Sequence, residues 1–143
     1  MAGTILLINL PTSAGFLYNL PGTIYPATGI LLVGAMFKSR GYGVKVIDGC
    51  LHPDYESRAL AAVDNNTVMI CFSVTTNQVP MALRLSRQFK QRYPEVPVVW
   101  GGIHCILFPE QTVSDEAVDI VATGDGTLTV QGLCDYLDRK SVV

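Results

Sequence analysis

At 143 residues the chain has the length of one ordinary domain and is long enough to bury a core. Apolar residues make up 49% of it and charged ones only 15%, which excludes a disordered chain and suits a sheet whose strands are covered on both faces. The formal net charge of -2 offers no basic footprint, so nucleic acid is not an expected partner.

The first apolar run, Thr4–Leu10 (TILLINL), reads as a strand, and Asn9 and Pro11 end it. A glycine- and proline-rich stretch from Pro11 to Thr28 reads as a long loop. Ile30 to Arg40 is densely apolar with Gly41 where a C-capping glycine belongs, so a helix is predicted there. Neither Ile5–Leu10 nor the interrupted Ile24–Phe37 approaches the ~18 uninterrupted apolar residues of a membrane span, so no membrane is expected. Val44–Asp48 is the second predicted strand, followed by a helix over Tyr55–Val63 and a turn at Asp64-Asn65-Asn66. Thr67–Ser73 (TVMICFS) is the third strand. Asn77 to Tyr93 is the clearest helix, with Val79, Leu83, Phe89 and Tyr93 as its inward stripe and Arg84, Arg87, Lys90 and Gln91 in water. Pro97–Gly101 is the fourth strand, Glu110–Asp115 a short or irregular helical turn, and Val118–Thr123 the fifth strand. Thr127 to Leu137 closes the chain as a helix, turning Val130, Leu133 and Leu137 inward.

Strands alternating with helices across short joints imply parallel strands and right-handed crossovers. The predicted fold is α/β, a flavodoxin-like or Rossmann-like three-layer sandwich around a five-stranded parallel sheet of order 2-1-3-4-5, in one domain covering residues 1–143. Cys50, Cys71, Cys105 and Cys134 stand far apart with no CxxC pair, which fits reduced, structural thiols in a cytoplasmic protein.

In such sheets ligands bind outside the carboxyl ends of the strands. The residues that follow the strands are therefore the candidates: the first loop, then Ser73-Val74-Thr75-Thr76-Asn77, Gly101-Gly102-Ile103-His104, and Gly124-Asp125-Gly126-Thr127. Glycines and small hydroxyls there make a roomy, backbone-lined cleft. Other tenants of the fold are excluded. Asn9, Ser73 and the absence of a lysine after the fifth strand rule out a phosphoacceptor receiver, and the first loop has neither GxGxxG nor GxxxxGK[ST]. With two histidines in the chain, no Ser/His/Asp or Cys/His constellation is evident.

Five stretches in order resemble one family. They are Tyr25-Pro26-Ala27-Thr28-Gly29-Ile30, the run from Arg40 to Asp48 (RGYGVKVID), Ser73-Val74-Thr75-Thr76, Val99-Trp100-Gly101-Gly102-Ile103-His104, and the run from Val118 to Gly126 (VDIVATGDG). Over Ile5–Leu137 the chain resembles the N-terminal cobalamin-binding domain of cobalamin-dependent radical S-adenosylmethionine enzymes. That family reads Gly-Glu-Gly-Glu after the fifth strand, where this chain has Gly124-Asp125-Gly126-Thr127, losing a carboxylate while Thr127 remains as an N-cap.

The resemblance implies a cofactor module for cobalamin, detached from the catalytic barrel. With no DxHxxG in the first loop, it implies a base-off cofactor without a protein histidine on cobalt. The absence of CxxxCxxC leaves the [4Fe-4S] cluster and S-adenosylmethionine to a barrel domain outside this chain. The parent it implies is a radical methyltransferase first, with ring formation or rearrangement in some relatives. The implied cofactor-binding residues are Ser73, Thr75, Thr76, Asn77, Gly101, Gly102, His104, Gly124, Asp125 and Gly126. Small residues there let the displaced nucleotide tail pass, and the Ser/Thr hydroxyls and the start of the following helix serve its phosphate or ring nitrogen.

Plainer readings stand beside these. Gly101-Gly102 permits a tight turn, Ser73–Thr76 caps the next helix, and Gly124–Thr127 is a turn with an N-cap. Asp48 is a turn former, His52 a solvated loop residue and Cys105 a structural thiol. Tyr18 and Tyr25 either cover the corrin or pack on a partner domain. The alternative function is a stand-alone α/β interaction or small-ligand domain without cobalamin, its first loop (Phe16, Leu17, Tyr18, Leu20) serving as a protein contact.

Overall fold

The computed structural model describes residues 2–12 and 26–141, and, for the side chains, residues up to 139. Phe16, Leu17, Tyr18, Leu20 and Tyr25 lie outside the described residues. Thr4–Asn9 (β1), Gly43–Asp48 (β2), Thr67–Ser73 (β3), Val98–Gly101 (β4) and Ile120–Val121 (β5) form one parallel sheet of order β2-β1-β3-β4-β5, as the alternation of strands and helices predicts. The helices are Thr28–Ser39 (α1), Tyr55–Ala62 (α2), Val79–Arg92 (α3), Ile103–Leu107 (α4), Pro109–Val113 (α5) and Gly126–Ser141 (α6). None of the described helices is long and apolar enough to cross a membrane.

Residues of β1 alternate between two cores because successive side chains of a strand leave opposite faces. Leu6, Ile8 and Leu10 join Ile70, Phe72 and Trp100 beneath α2 and α3. Ile5 and Leu7 join Met69, Cys71 and Val99 beneath α1 and α6. The single tryptophan is buried with its indole satisfied, Nε1 donating to Ser86 Oγ at 3.0 Å.

Helix α1 buries Ile30, Gly34 and Phe37, one face at four- and three-residue spacing. Gly34 has a packing reason: a Cβ there would stand 3.0 Å from Leu7 Cδ1, so the glycine lets α1 lie close on the sheet. The helix stops at Gly41, whose φ of 89° suits the left-handed cap. Gly41 N–H bonds Lys38 O at 3.0 Å and Tyr42 N–H bonds Phe37 O at 3.2 Å, the Schellman pattern, and the Tyr42 ring closes on Phe37.

Three predicted elements differ in detail. The buried stripe of α3 is Ala82, Leu85, Ser86 and Phe89, while Val79, Leu83 and Tyr93 are only partly buried. Strand β5 is two residues long, pairing with Val99 and Trp100 of β4; single bonds from Asp119 N–H to Val98 O (2.9 Å) and Ala122 N–H to Trp100 O (2.8 Å) flank it. Helix α4 begins directly after Gly102, where the sequence reads as loop.

Candidate functional site

The site begins with strand register. Asp48, Asn9, Ser73 and Gly101 are paired across β2, β1, β3 and β4, forming the last layer at the carboxyl edge. Two residues back on the same face, Leu7, Cys71 and Val99 make an apolar layer. Above that layer α1 and α6 enclose a cavity of about 330 Å³ that opens at the carboxyl edge. Leu7, Cys71 and Val99 form its floor, Ile30, Val33 and Phe37 one wall, and Thr129 and Leu133 the other. Ser73, Gly101, Gly102, Gly124 and Gly126 border it from the strand ends. Among the described lining residues none is charged, and Ser73 and Thr129 bear the only hydroxyls.

The glycines do different jobs. Gly101 shares the face of Val99, so a side chain there would project into the cavity; its Cβ would meet Ala122 Cβ at 3.6 Å, an ordinary contact. Gly102 has φ of 97°, and a Cβ would stand 2.8 Å from both N and O of Val74, so its need for glycine is local. A Cβ on Gly124 would lie 3.8 Å from Thr129 Oγ1, and one on Gly126 would lie 3.2 Å from Val33 Cγ2.

The remaining predicted residues stand away from the cavity lining. Thr75 caps the turn Thr76–Gln78: its N–H donates to Gln78 Oε1 at 2.9 Å in a capping box, and its hydroxyl bonds Asn77 Oδ1. The buried Gln78 amide in turn donates to Leu10 O at 3.1 Å, tying this turn to the end of β1. Thr76 Oγ1 lies 3.2 Å from Nδ1 of His104, whose ring is 7% exposed and packs on Phe108. Asp125 is the N-cap of α6, its Oδ1 accepting from Thr127 N–H at 2.9 Å and Leu128 N–H at 3.3 Å; the cap is Asp125 and not Thr127. Asp48 Oδ1 accepts from Cys50 N–H and from the Asn9 amide, as a turn former does.

No disulfide joins the four cysteines. Burial pushes the Cys71 thiol up to about 12 and that of Cys105 to about 11, so both are neutral hydrophobes. No group of three or more His, Cys, Asp or Glu residues is gathered as a metal site among the described residues.

Sequence reasoning missed Thr129. It lies three residues beyond Gly126 and four before Leu133, so the helical spacing of α6 already carried the signal.

The family model for the B12 binding domain matches residues 18–134. The chain belongs to the B12-binding domain family. Its loops' resemblance to the cobalamin domains of radical enzymes is matched by the comparisons. The B12-binding domain is 25% identical over 141 residues to the anaerobic magnesium-protoporphyrin IX monomethyl ester cyclase of Synechocystis, covering 96% of this chain and 28% of the relative. It is 27% identical over 144 residues to the cytidylyl-2-hydroxyethylphosphonate methyltransferase of Streptomyces wedmorensis, covering 87% of this chain and 27% of the relative. The chain thus spans little more than a quarter of the curated relatives it matches. In fold it is similar to the cobalamin-dependent S-adenosylmethionine radical enzyme OxsB, solved with aqua-cobalamin and S-adenosylmethionine bound (TM-score 0.74, 18% identity, 96% of this chain and 19% of that one). It is also similar to the monomethylamine corrinoid protein of Methanosarcina barkeri (TM-score 0.65, 13% identity, 95% of this chain and 58% of that one).

The described residues of the B12-binding domain fit the cofactor. The cavity is near the lower end of the roughly 300–1,000 Å³ usual for small-ligand sites, which suits a nucleotide base and not a corrin macrocycle. Leu32, Ile103 and Ile106 line it and are half exposed or more, leaving an apolar rim where a macrocycle can rest outside.

Proposed function

We propose that this B12-binding domain holds cobalamin with the nucleotide tail in the cavity between α1 and α6, as the cofactor module of a radical S-adenosylmethionine enzyme, a methyltransferase in the first instance. The observation that carries the reading is the cavity itself: apolar, without a charged residue among the described lining, bordered by Gly101 and Ser73 at the edge of the sheet, and open there. A tail held there is held away from the metal, so the cofactor is base-off. His104 is buried against Phe108 and within bonding distance of Thr76, which supports a cobalt free of protein histidine.

Cobalamin supplies the parent enzyme with a redox-active cobalt able to carry an alkyl group. This chain's residues bind and orient. Ser73 would offer a hydroxyl to the tail, Gly101 would keep the passage open, and Leu32, Ile103 and Ile106 would give the corrin an apolar surface that excludes water. Thr75, Thr76, Asn77, His104 and Asp125 hold the two rim loops that this passage runs between. The [4Fe-4S] cluster and S-adenosylmethionine belong to the parent's barrel; the methyltransferase among the relatives supports methyl transfer, and the cyclase beside it keeps ring formation as the second outcome.

Titration with hydroxocobalamin, read by visible absorption after desalting, tests this reading. Retained colour with a base-off spectrum is expected, and Gly101→Val, whose methyls enter the cavity without disturbing the strand, should abolish it. A colourless wild-type chain, or a Gly101→Val variant that binds as well as wild type, would overturn the reading.

A further inference from the structure

The cavity's lining also specifies which nucleotide base it accepts, an inference that rests on the cobalamin reading. Its walls are Leu7, Ile30, Phe37, Val99 and Leu133, all apolar, and Cys71 adds only a neutral thiol. Among the described lining residues the polar side chains are two hydroxyls, Ser73 at the end of β3 and Thr129 on α6. Among the described residues neither hydroxyl has a hydrogen-bond partner within the protein. Two of the rim carbonyls are engaged: Gly101 O accepts from Val74 N–H, and Gly102 O from Cys105 and Ile106 N–H.

We infer that the cavity selects corrinoids whose lower base is a benzimidazole over those carrying a purine, and that Thr129 is a recognition residue for that base and its sugar. A glycosylated benzimidazole has one free ring nitrogen and an otherwise apolar body, which two hydroxyls and an apolar wall satisfy. A purine such as adenine brings an exocyclic amine and further ring nitrogens. Inside this lining those groups leave water without replacement partners, which costs roughly tenfold or more in affinity.

The test measures dissociation constants of the wild-type chain for hydroxocobalamin, adeninylcobamide and cobinamide, which lacks the nucleotide, by absorption titration. Cobalamin is expected to bind at least about tenfold more tightly than either of the others. Thr129→Val, which keeps the shape and removes the hydroxyl, should weaken cobalamin roughly three- to tenfold and leave cobinamide unchanged. Equal affinity for adeninylcobamide and cobalamin overturns the selectivity while the cobalamin reading stands. So does a Thr129→Val effect that is absent or equal for cobalamin and cobinamide. If cobinamide binds as tightly as cobalamin, the cavity is not the tail's site, and if no corrinoid binds, the cobalamin reading itself fails.

Discussion

Gly101 and Gly102 are neighbours in sequence with unlike reasons for being glycine. Gly101 has extended backbone at the end of β4 and room for a methyl group, so its lack of a side chain serves the cavity. Gly102 has a left-handed φ and is pressed against the Val74 backbone, so its lack of a side chain serves the chain's own turn into α4. Gly102→Ala should therefore lower stability by ~2 kcal/mol or more, whereas Gly101→Ala should change it by no more than ~0.5 kcal/mol. Urea midpoints of the two variants check this, and equal losses would refute the distinction. The pair is visible in the sequence, but its division of labour is not. It depends on what the missing Cβ would touch, and those atoms come from the end of β3, from Val74 just beyond it, and from the segment after β5.

Caps illustrate the same limit for whole elements. The Schellman end of α1 was legible because the helical pattern stops one residue before Gly41, and the motif uses only atoms within a few residues of each other. The start of α6 was harder: Asp125 and Thr127 both have capping side chains, and the choice depends on which backbone N–H groups are reached. Asp125 reaches two of them. Asp125→Ala should cost about 1 kcal/mol of stability, read in a denaturant melt, and by loosening the rim loop should weaken cobalamin by no more than that loss accounts for. A larger drop in affinity than stability accounts for would make Asp125 a ligand contact. Helix α4 escaped notice because a five-residue helix has too few turns to show periodicity and opens on the very glycines that signal a loop.

Across the molecule, polar groups join elements that the cores alone do not lock. Glu56 on α2 accepts from the Arg84 guanidinium on α3, and Lys90 on α3 pairs at 2.9 Å with Asp119, whose carboxylate also accepts from Val98 N–H at 2.7 Å. The Arg84 hydrogen bond holds the Glu56 carboxyl below its ordinary value of 4.5. A carboxyl depressed in the folded state contributes its full stability above the unfolded value and loses it as pH falls through the folded one. Because Arg84 is exposed, that contribution is roughly 0.2–1 kcal/mol. Glu56→Gln should accordingly destabilise at neutral pH by up to about that amount, and the gap from wild type should close on acidification to about pH 3. Urea unfolding at the two pH values reads it, and a gap that widens in acid would contradict the assignment.

Sequence alone determined the five strands, their parallel order and the carboxyl edge as the place for chemistry. The strands and their parallel direction follow from periodicity and handedness, which are local properties of the chain; the order is the one that five such strands favour. It also put Ser73, Gly101, Gly102, Gly124 and Gly126 at that edge, in the loops that follow parallel strands, and these five border the cavity, whereas Thr75, Thr76, Asn77, His104 and Asp125 from the same loops do not. Tertiary structure decided the rest. The cavity exists only because residues 28–39 and 126–141, far apart in the chain, pack side by side over the same face of the sheet. That packing made a void over the face of α6 that carries Thr129, and the turn after β3 brought Thr76 to His104. An enclosed volume and a hydrogen-bond partner are distances between segments remote in sequence, and no local pattern encodes them.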